Sequence, residues 1–173
     1  RCSADSLRRA HPAELAEALA GLRSQGKIRE CGVSNHTAAQ TALLQQFLPF
    51  PLATLQPEFS ALALEPAFDG VLDLAMSCQV TPLAWSPLAG GRLAVESAAD
   101  ERLNRVNAKL DELARRERVS RPAVALAFVI RHPSRPIPIV GTQNPARIAA
   151  ASDALRVNLS RRDWYSIVVA SRG

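Results

Sequence analysis

Apolar positions along the chain switch repeatedly between a helical and a strand period. Leu15, Leu19 and Leu22 recur at helical spacing after His11-Pro12, a helix start in which Pro12 lacks only an N–H that has no partner there, and Gly26 fits the stop. A short strand follows, Ile28 to Val33. Thr37 caps a second helix holding Leu43, Leu44 and Phe47, and Leu52 to Gln56 reads as a second strand. Pro66 opens a third helix through Leu72 and Met76, and Val80 to Trp85 makes a third strand. A Gly-rich loop then runs from Ser86 to about Ser97, and a long charged helix from Glu101 to Arg118. Ser120, with Pro122 in the first turn, caps a helix that ends near His132-Pro133, and Ile137 to Val140 is a fourth strand. Asn144-Pro145 starts one more helix, and Ser160 caps the last, which carries Trp164 and Ile167.

Strands that alternate with helices in this way predict a parallel sheet with crossover connections, its strands covered on both faces. Two α/β architectures compete, an open doubly wound sheet and a (β/α)8 TIM barrel. No G-x-G-x-x-G follows any of the strands, which weakens the dinucleotide-binding doubly wound fold. A whole barrel takes about 250 residues, so 173 residues with four clear strands predict about half of one.

Composition narrows the partners. The net charge of +5 is carried almost wholly by arginine, since Lys27 and Lys109 are the only lysines. The arginines are scattered and never interleaved with aromatics, which argues against a nucleic-acid surface. The longest apolar run, Val124 to Ile130, is too short to span a bilayer, and no signal peptide pattern opens the chain, so the reading is cytoplasmic with no membrane partner. Cys2, Cys31 and Cys78 lack metal or redox spacing and read as free thiols, the latter two as small core residues.

In a barrel of this kind, functional side chains sit at the C-terminal ends of strands. Those ends read Gly32-Val33-Ser34-Asn35, Gln56-Pro57-Glu58, Trp85 to Leu93, and Gly141-Thr142-Gln143-Asn144 with Arg147 beyond. Ser34, Asn35 and Gln56 offer neutral donors and acceptors suited to an amide. Trp85 offers a flat face for an aromatic ring. The glycines after Trp85 let backbone N–H groups approach a pyrophosphate, Gly141 and Thr142 lead into a helix N-terminus, and Arg147 can pair with a further phosphate. Each also has a plain structural reading: a turn and cap at Ser34-Asn35, a core tryptophan, a glycine turn, and a cap before Asn144-Pro145.

Taken together, Gly26-Lys27-Ile28-Arg29, Gly32-Val33-Ser34-Asn35, Gln56-x-Glu58, Trp85-Ser86-Pro87-Leu88-Ala89-Gly90-Gly91 and Ile139-Val140-Gly141-Thr142 resemble the C-terminal portion of the aldo-keto reductase family, and more narrowly a bacterial oxidoreductase branch of it. The resemblance runs from Pro12 to the end. It implies a single aldo-keto reductase-like domain over residues 1–173, N-terminally incomplete, with an NADP(H) cofactor laid across the barrel mouth and a small carbonyl compound as substrate. By resemblance Ser34, Asn35 and Gln56 hold the carboxamide, and Trp85 takes the place of the stacking aromatic, more often tyrosine. Ser86, Leu88, Gly90 and Arg92 line the pyrophosphate loop, and Thr142 and Arg147 meet the 2′-phosphate. The family's acidic residue and asparagine near adenine correspond to Ala150 and Ala151 here.

The family's catalytic tyrosine, lysine and aspartate belong to a half that this sequence does not contain. Its histidine corresponds to the stretch Cys2-Ser3-Ala4-Asp5, where only Asp5 agrees. The sequence therefore predicts no catalytic residue of its own. Tyr165 reads as packing, His36 as a helix start and His132 as a helix end. Three behaviours remain open: the cofactor-binding half of an NADP(H)-dependent reductase, a non-catalytic NADP(H)-binding accessory module, or an inactive gene fragment. A half barrel also leaves sheet edges that a homodimer or partner chain would cover.

Overall fold

A computed structural model describes residues 11–95 and 100–173. The stretch from Cys2 to Asp5 and the end of the loop at Ser97 lie outside the described residues. Local capping sets most helix starts. His11 Nδ1 accepts from Ala13 N–H at 3.2 Å ahead of α1 (Pro12–Ser24), and Gly26, at φ 69°, lets Lys27 N–H reach Leu22 O at 3.0 Å and close it. α2 (Ala38–Phe47) begins with a reciprocal box: Thr37 Oγ1 accepts from Gln40 N–H, and Gln40 Oε1 from Thr37 N–H. Asp100, Ser120, Asn144 and Ser160 cap α4 (Glu101–Glu117), α5 (Arg121–Ile130), α6 (Pro145–Ala151) and α7 (Arg161–Arg172). The third helix departs from the sequence reading. Pro66 opens only a 3-10 turn, Glu65–Ala67, and α3 (Val71–Ser77) starts after Gly70, whose φ of 88° interrupts the helical path. Cys78, expected in the core, is exposed just past α3, and Cys31 is half-buried.

The strands are β1 (Gly32–Ser34), β2 (Thr54–Gln56), β3 (Thr81–Ala84) and β4 (Ile137–Pro138). They form one parallel four-stranded sheet in the order β1-β2-β3-β4. A doubly wound sheet reverses its strand order at a switch point, whereas a barrel adds each strand beside the last. The sequential order is that of a partial barrel. Each paired segment is shorter than the apolar run around it. Leu52 is 2% exposed yet precedes the β2 ladder, because the apolar pattern records burial and the ladder records only pairing.

Burial on β1 and β2 is one-sided, unlike the two covered faces expected of a parallel sheet. Val33 and Leu55 are buried against α1, α2 and α3, while Gly32 and Ser34 stay exposed and Thr54 and Gln56 half-exposed. The larger core lies under β3 and the later helices. There Phe59, Leu72, Leu110, Leu126, Phe128 and Ile167 are fully buried. Trp164 stacks on Phe128 with centroids 4.8 Å apart and donates its indole N–H to Phe128 O at 2.9 Å. At the surface, Arg116 of α4 grips Asp163 of α7 through two bonds of 2.8 and 2.9 Å. That grip, with Ser160, holds the Asp163 carboxyl well below the usual carboxylate range. No described helix is long and apolar enough to cross a membrane.

Two outcomes test this packing. A Cβ at Gly32 would clash with Thr54 Oγ1 and lie 2.6 Å from Thr54 O, so the strands must move to admit one. Gly32→Ala should destabilise the chain by about 1–3 kcal/mol in urea unfolding, as overpacked sites do; an unchanged midpoint would show that the contact is loose. The second concerns His132, which is buried with its ring edge-on to Phe59. Burial pushes its imidazole below its ordinary pKa, against the opposing pull of Asp73. The unfolded chain then takes up this proton at higher pH than the folded chain. Stability should be full above about pH 6.5 and fall as the pH drops below it. Urea midpoints across that range should slope less in His132→Gln; an equal slope would remove His132 as the cause.

Candidate functional site

The ends of β1 and β2 meet at one carbonyl, and the end of β3 joins them through Asn35. Ser34 pairs with Gln56 in the parallel register, and Gln56 O accepts both the Ser34 hydroxyl at 3.2 Å and Asn35 N–H at 3.1 Å. Asn35 sits at φ 54°, a left-handed turn that asparagine tolerates better than most residues. Trp85 extends β3 by a bridge to Glu58, with Trp85 N–H donating to Pro57 O at 3.0 Å. Its indole N–H donates to Asn35 Oδ1 at 2.8 Å. Ser34, Asn35, Gln56 and Trp85 are thus brought together from three strand ends. Their chemistry is directional. The Ser34 proton is spent on Gln56 O, which leaves Ser34 Oγ an acceptor, while Asn35 Nδ2 has no partner among the described residues and remains a donor.

The following segment opens into a cleft of about 900 Å³. Ser86, Leu88, Gly90 and Gly91 form one wall, and Gly141, Thr142, Arg147, Ala150 and Ala151 form another. The strand-end cluster does not itself line this cleft; the Trp85–Ser86 peptide joins the two. Arg92 belongs to neither. It turns to Ala89 O at 3.2 Å and to Asp100 at 3.9 Å, because the reversed backbone at Gly90 and Gly91 (φ 67° and 93°) carries the chain back on itself.

Two details revise the sequence reading of this cleft. The loop satisfies its own glycine N–H groups: Gly90 N–H donates to Ser86 Oγ at 2.8 Å and Gly91 N–H to Leu88 O at 3.0 Å. The Ser86 hydroxyl keeps its own proton to give. Likewise, Asn144 Oδ1 already accepts from Ala146 and Arg147 N–H at the start of α6. These four N–H groups are therefore not free for an anion. Among the described residues, Arg147 is the only charged one lining the cleft, and its guanidinium has no acidic partner there.

Sequence reasoning missed the third side, formed by Ser120, Pro122 and Leu126 of α5, and the apolar contributions of Val95, Ile139 and Val140. Ser120 and Pro122 were legible only as a cap. Val95 is pinned in place, its carbonyl accepting from Asn107 at 3.4 Å and Arg121 at 3.2 Å. Tyr165 lies exposed on α7, edge-on to Trp164, and His36 bonds Ser34 O at the start of α2. A second hollow of about 540 Å³, between α4 and α5, contains Arg115, Arg118 and Arg121 with Asp111, but no strand-end residue.

Comparison with known proteins agrees with this geometry. A sequence model described as the Aldo/keto reductase family matches residues 3–171. A 6-dehydroglucose reductase of Novosphingobium aromaticivorans is 46% identical over 164 residues, covering 95% of this chain and 53% of that protein. Oxidoreductase YdhF of Escherichia coli K12 is 39% identical over 160 residues, covering 92% of this chain and 53% of its own length. The chain thus spans about half the length of the curated relatives it matches. A thermostable aldo-keto reductase, Tm1743, crystallised with the inhibitor epalrestat, shares the fold with a TM-score of 0.79 at 22% identity, over 93% of this chain and 55% of that one. A half-barrel with its polar cluster at the strand ends, a match along nearly its whole length, and relatives of this identity lead to one statement: the chain belongs to the aldo/keto reductase family.

Proposed function

We propose that this chain supplies the NADP(H)-binding part of a reductase acting on a small carbonyl compound in the cytoplasm. The observation that carries the reading is Arg147, which among the described residues is the cleft's single charge and has no acidic partner. Its guanidinium and the Thr142 hydroxyl suit a 2′-phosphate, and the wall made by Leu126, Val95, Ile139 and Val140 suits the apolar body of a nucleoside. At the other end, Ser34 accepts and Asn35 donates beside the Trp85 ring, which matches the NH2 and C=O of a primary carboxamide on a stacked nicotinamide. Ser86, Leu88 and Gly90 line the stretch between, where the pyrophosphate would run, and Ser86 would meet it through its hydroxyl. The fit does not extend to Arg92, which is turned to Asp100.

The bound cofactor supplies the hydride, and this chain's residues hold and orient it. Carbonyl reduction also needs a proton donor. The family's proton donors have no counterpart in the sequence of this chain, which leaves a second reading for these residues alone, a module that binds NADP(H) without turnover. The similarity to a 6-dehydroglucose reductase makes oxidised sugars the first carbonyl class to assay.

Titration with NADPH and NADH, followed by tryptophan fluorescence or calorimetry, tests the reading. Arg147→Ala should weaken NADPH by roughly 10- to 100-fold, the loss of a charged hydrogen bond, and NADH by far less. Equal losses for the two would remove the 2′-phosphate from Arg147. Trp85→Ala should cost both cofactors roughly 2- to 10-fold through lost stacking. Unchanged affinity in a folded Trp85→Ala variant would take the nicotinamide away from this ring.

A further inference from the structure

We infer that Trp85 is a positioning residue: its indole N–H fixes the flip of the Asn35 amide, so that Asn35 meets the carbonyl oxygen of a bound carboxamide and not its NH2. The inference rests on the cofactor reading above and deepens it. An asparagine amide is close to symmetric in shape, and its two orientations offer a ligand opposite chemistry. Here the ambiguity is removed by chemistry. Indole nitrogen can only donate, so the Asn35 atom 2.8 Å from Trp85 Nε1 is the oxygen.

The rest of Asn35 is held as well. Its backbone N–H is bound to Gln56 O at 3.1 Å, and its left-handed φ of 54° is set by the turn out of β1. Asn35 Nδ2 has no partner among the described residues, and both its hydrogens are left for a ligand acceptor. Ser34 has the reverse polarity, its proton already on Gln56 O. The subsite therefore reads a carboxamide in one sense only. A phenylalanine or tyrosine at residue 85 would keep a flat face but lose this N–H. Stacking and orientation are separate duties of one ring.

Calorimetry on the whole chain with NADP+ and its 3-acetylpyridine analogue tests the assignment, since the analogue keeps the carbonyl and replaces NH2 by methyl. Asn35→Ala should raise Kd by the same factor for both ligands, roughly 3- to 10-fold. A penalty that disappears with the analogue means that Asn35 reads the NH2, and overturns the inference while leaving the cofactor reading intact. Trp85→Phe should weaken both ligands, and Asn35→Ala should then cost less in that background than alone. Fully additive penalties overturn the positioning role. Urea midpoints of the variants separate loss of the site from loss of fold. In the ligand-free chain, the Trp85 indole N–H proton resonance should move on Asn35→Ala, and a resonance that stays put overturns the hydrogen bond itself. No binding of NADP+ to the unaltered chain at millimolar concentration overturns the cofactor reading, and the inference with it.

Discussion

The strand-end cluster depends on how closely β1 lies against β2. Gly32 faces Thr54, and the space a Cβ would need is already taken by the Thr54 hydroxyl and carbonyl. That approach sets the register in which Ser34 falls beside Gln56. Only then can one carbonyl receive both the Ser34 hydroxyl and the Asn35 N–H, and only then does Asn35 Oδ1 reach the Trp85 indole at the end of β3, beyond β2. A one-residue slip in a parallel ladder would turn every one of these side chains to the opposite face. The chemistry of the mouth is thus inherited from a packing constraint two residues below it.

α5 links that mouth to the core. Its N-cap Ser120 and its first-turn Pro122 contribute to the cleft, while Val124 to Val129 are buried in the larger core against α4 and β4. Helices in barrels shield the sheet, and here one of them also shapes the ligand cavity at its N-terminal end. The Trp164–Phe128 stack and the Arg116–Asp163 grip then tie α7 to α5 and to α4. The cleft consequently rests on the larger core, while the strand ends at Ser34 and Gln56 rest on the smaller cluster around Leu44 and Leu55.

Charge shows why location matters more than totals. The chain carries 21 lysines and arginines against 16 acids, yet several arginines serve structural pairings. Arg116 holds Asp163, Arg121 holds Asp111, and Arg102 reaches Leu62 O and Ser171. Arg147 differs because it faces a cleft without a single acid among the described lining residues. A net charge of +5 would have singled out none of them.

Much of the fold was legible because its signals are local. The caps at Thr37, Ser120, Asn144 and Ser160 act over three or four residues, and the order of helices and strands follows from periodicities that the chain carries in itself. The strand-end residues were legible through motif resemblance. The break at Gly70 was not, because an apolar pattern can continue across a residue whose backbone has turned left-handed. Nor could local pattern show that Cys78 lies outside the core, that His132 is buried against Phe59, or that Arg92 turns to Asp100. The sequence by itself determined the element order, the starts of the capped helices and the residue types at each strand end, since each depends on neighbours a few bonds away. The tertiary structure alone decided that Trp85 would hold Asn35 across 50 residues, and that the β3 loop, α5 and α6 would enclose one cleft. Those outcomes depend on register and crossover packing, which join residues that no local period connects.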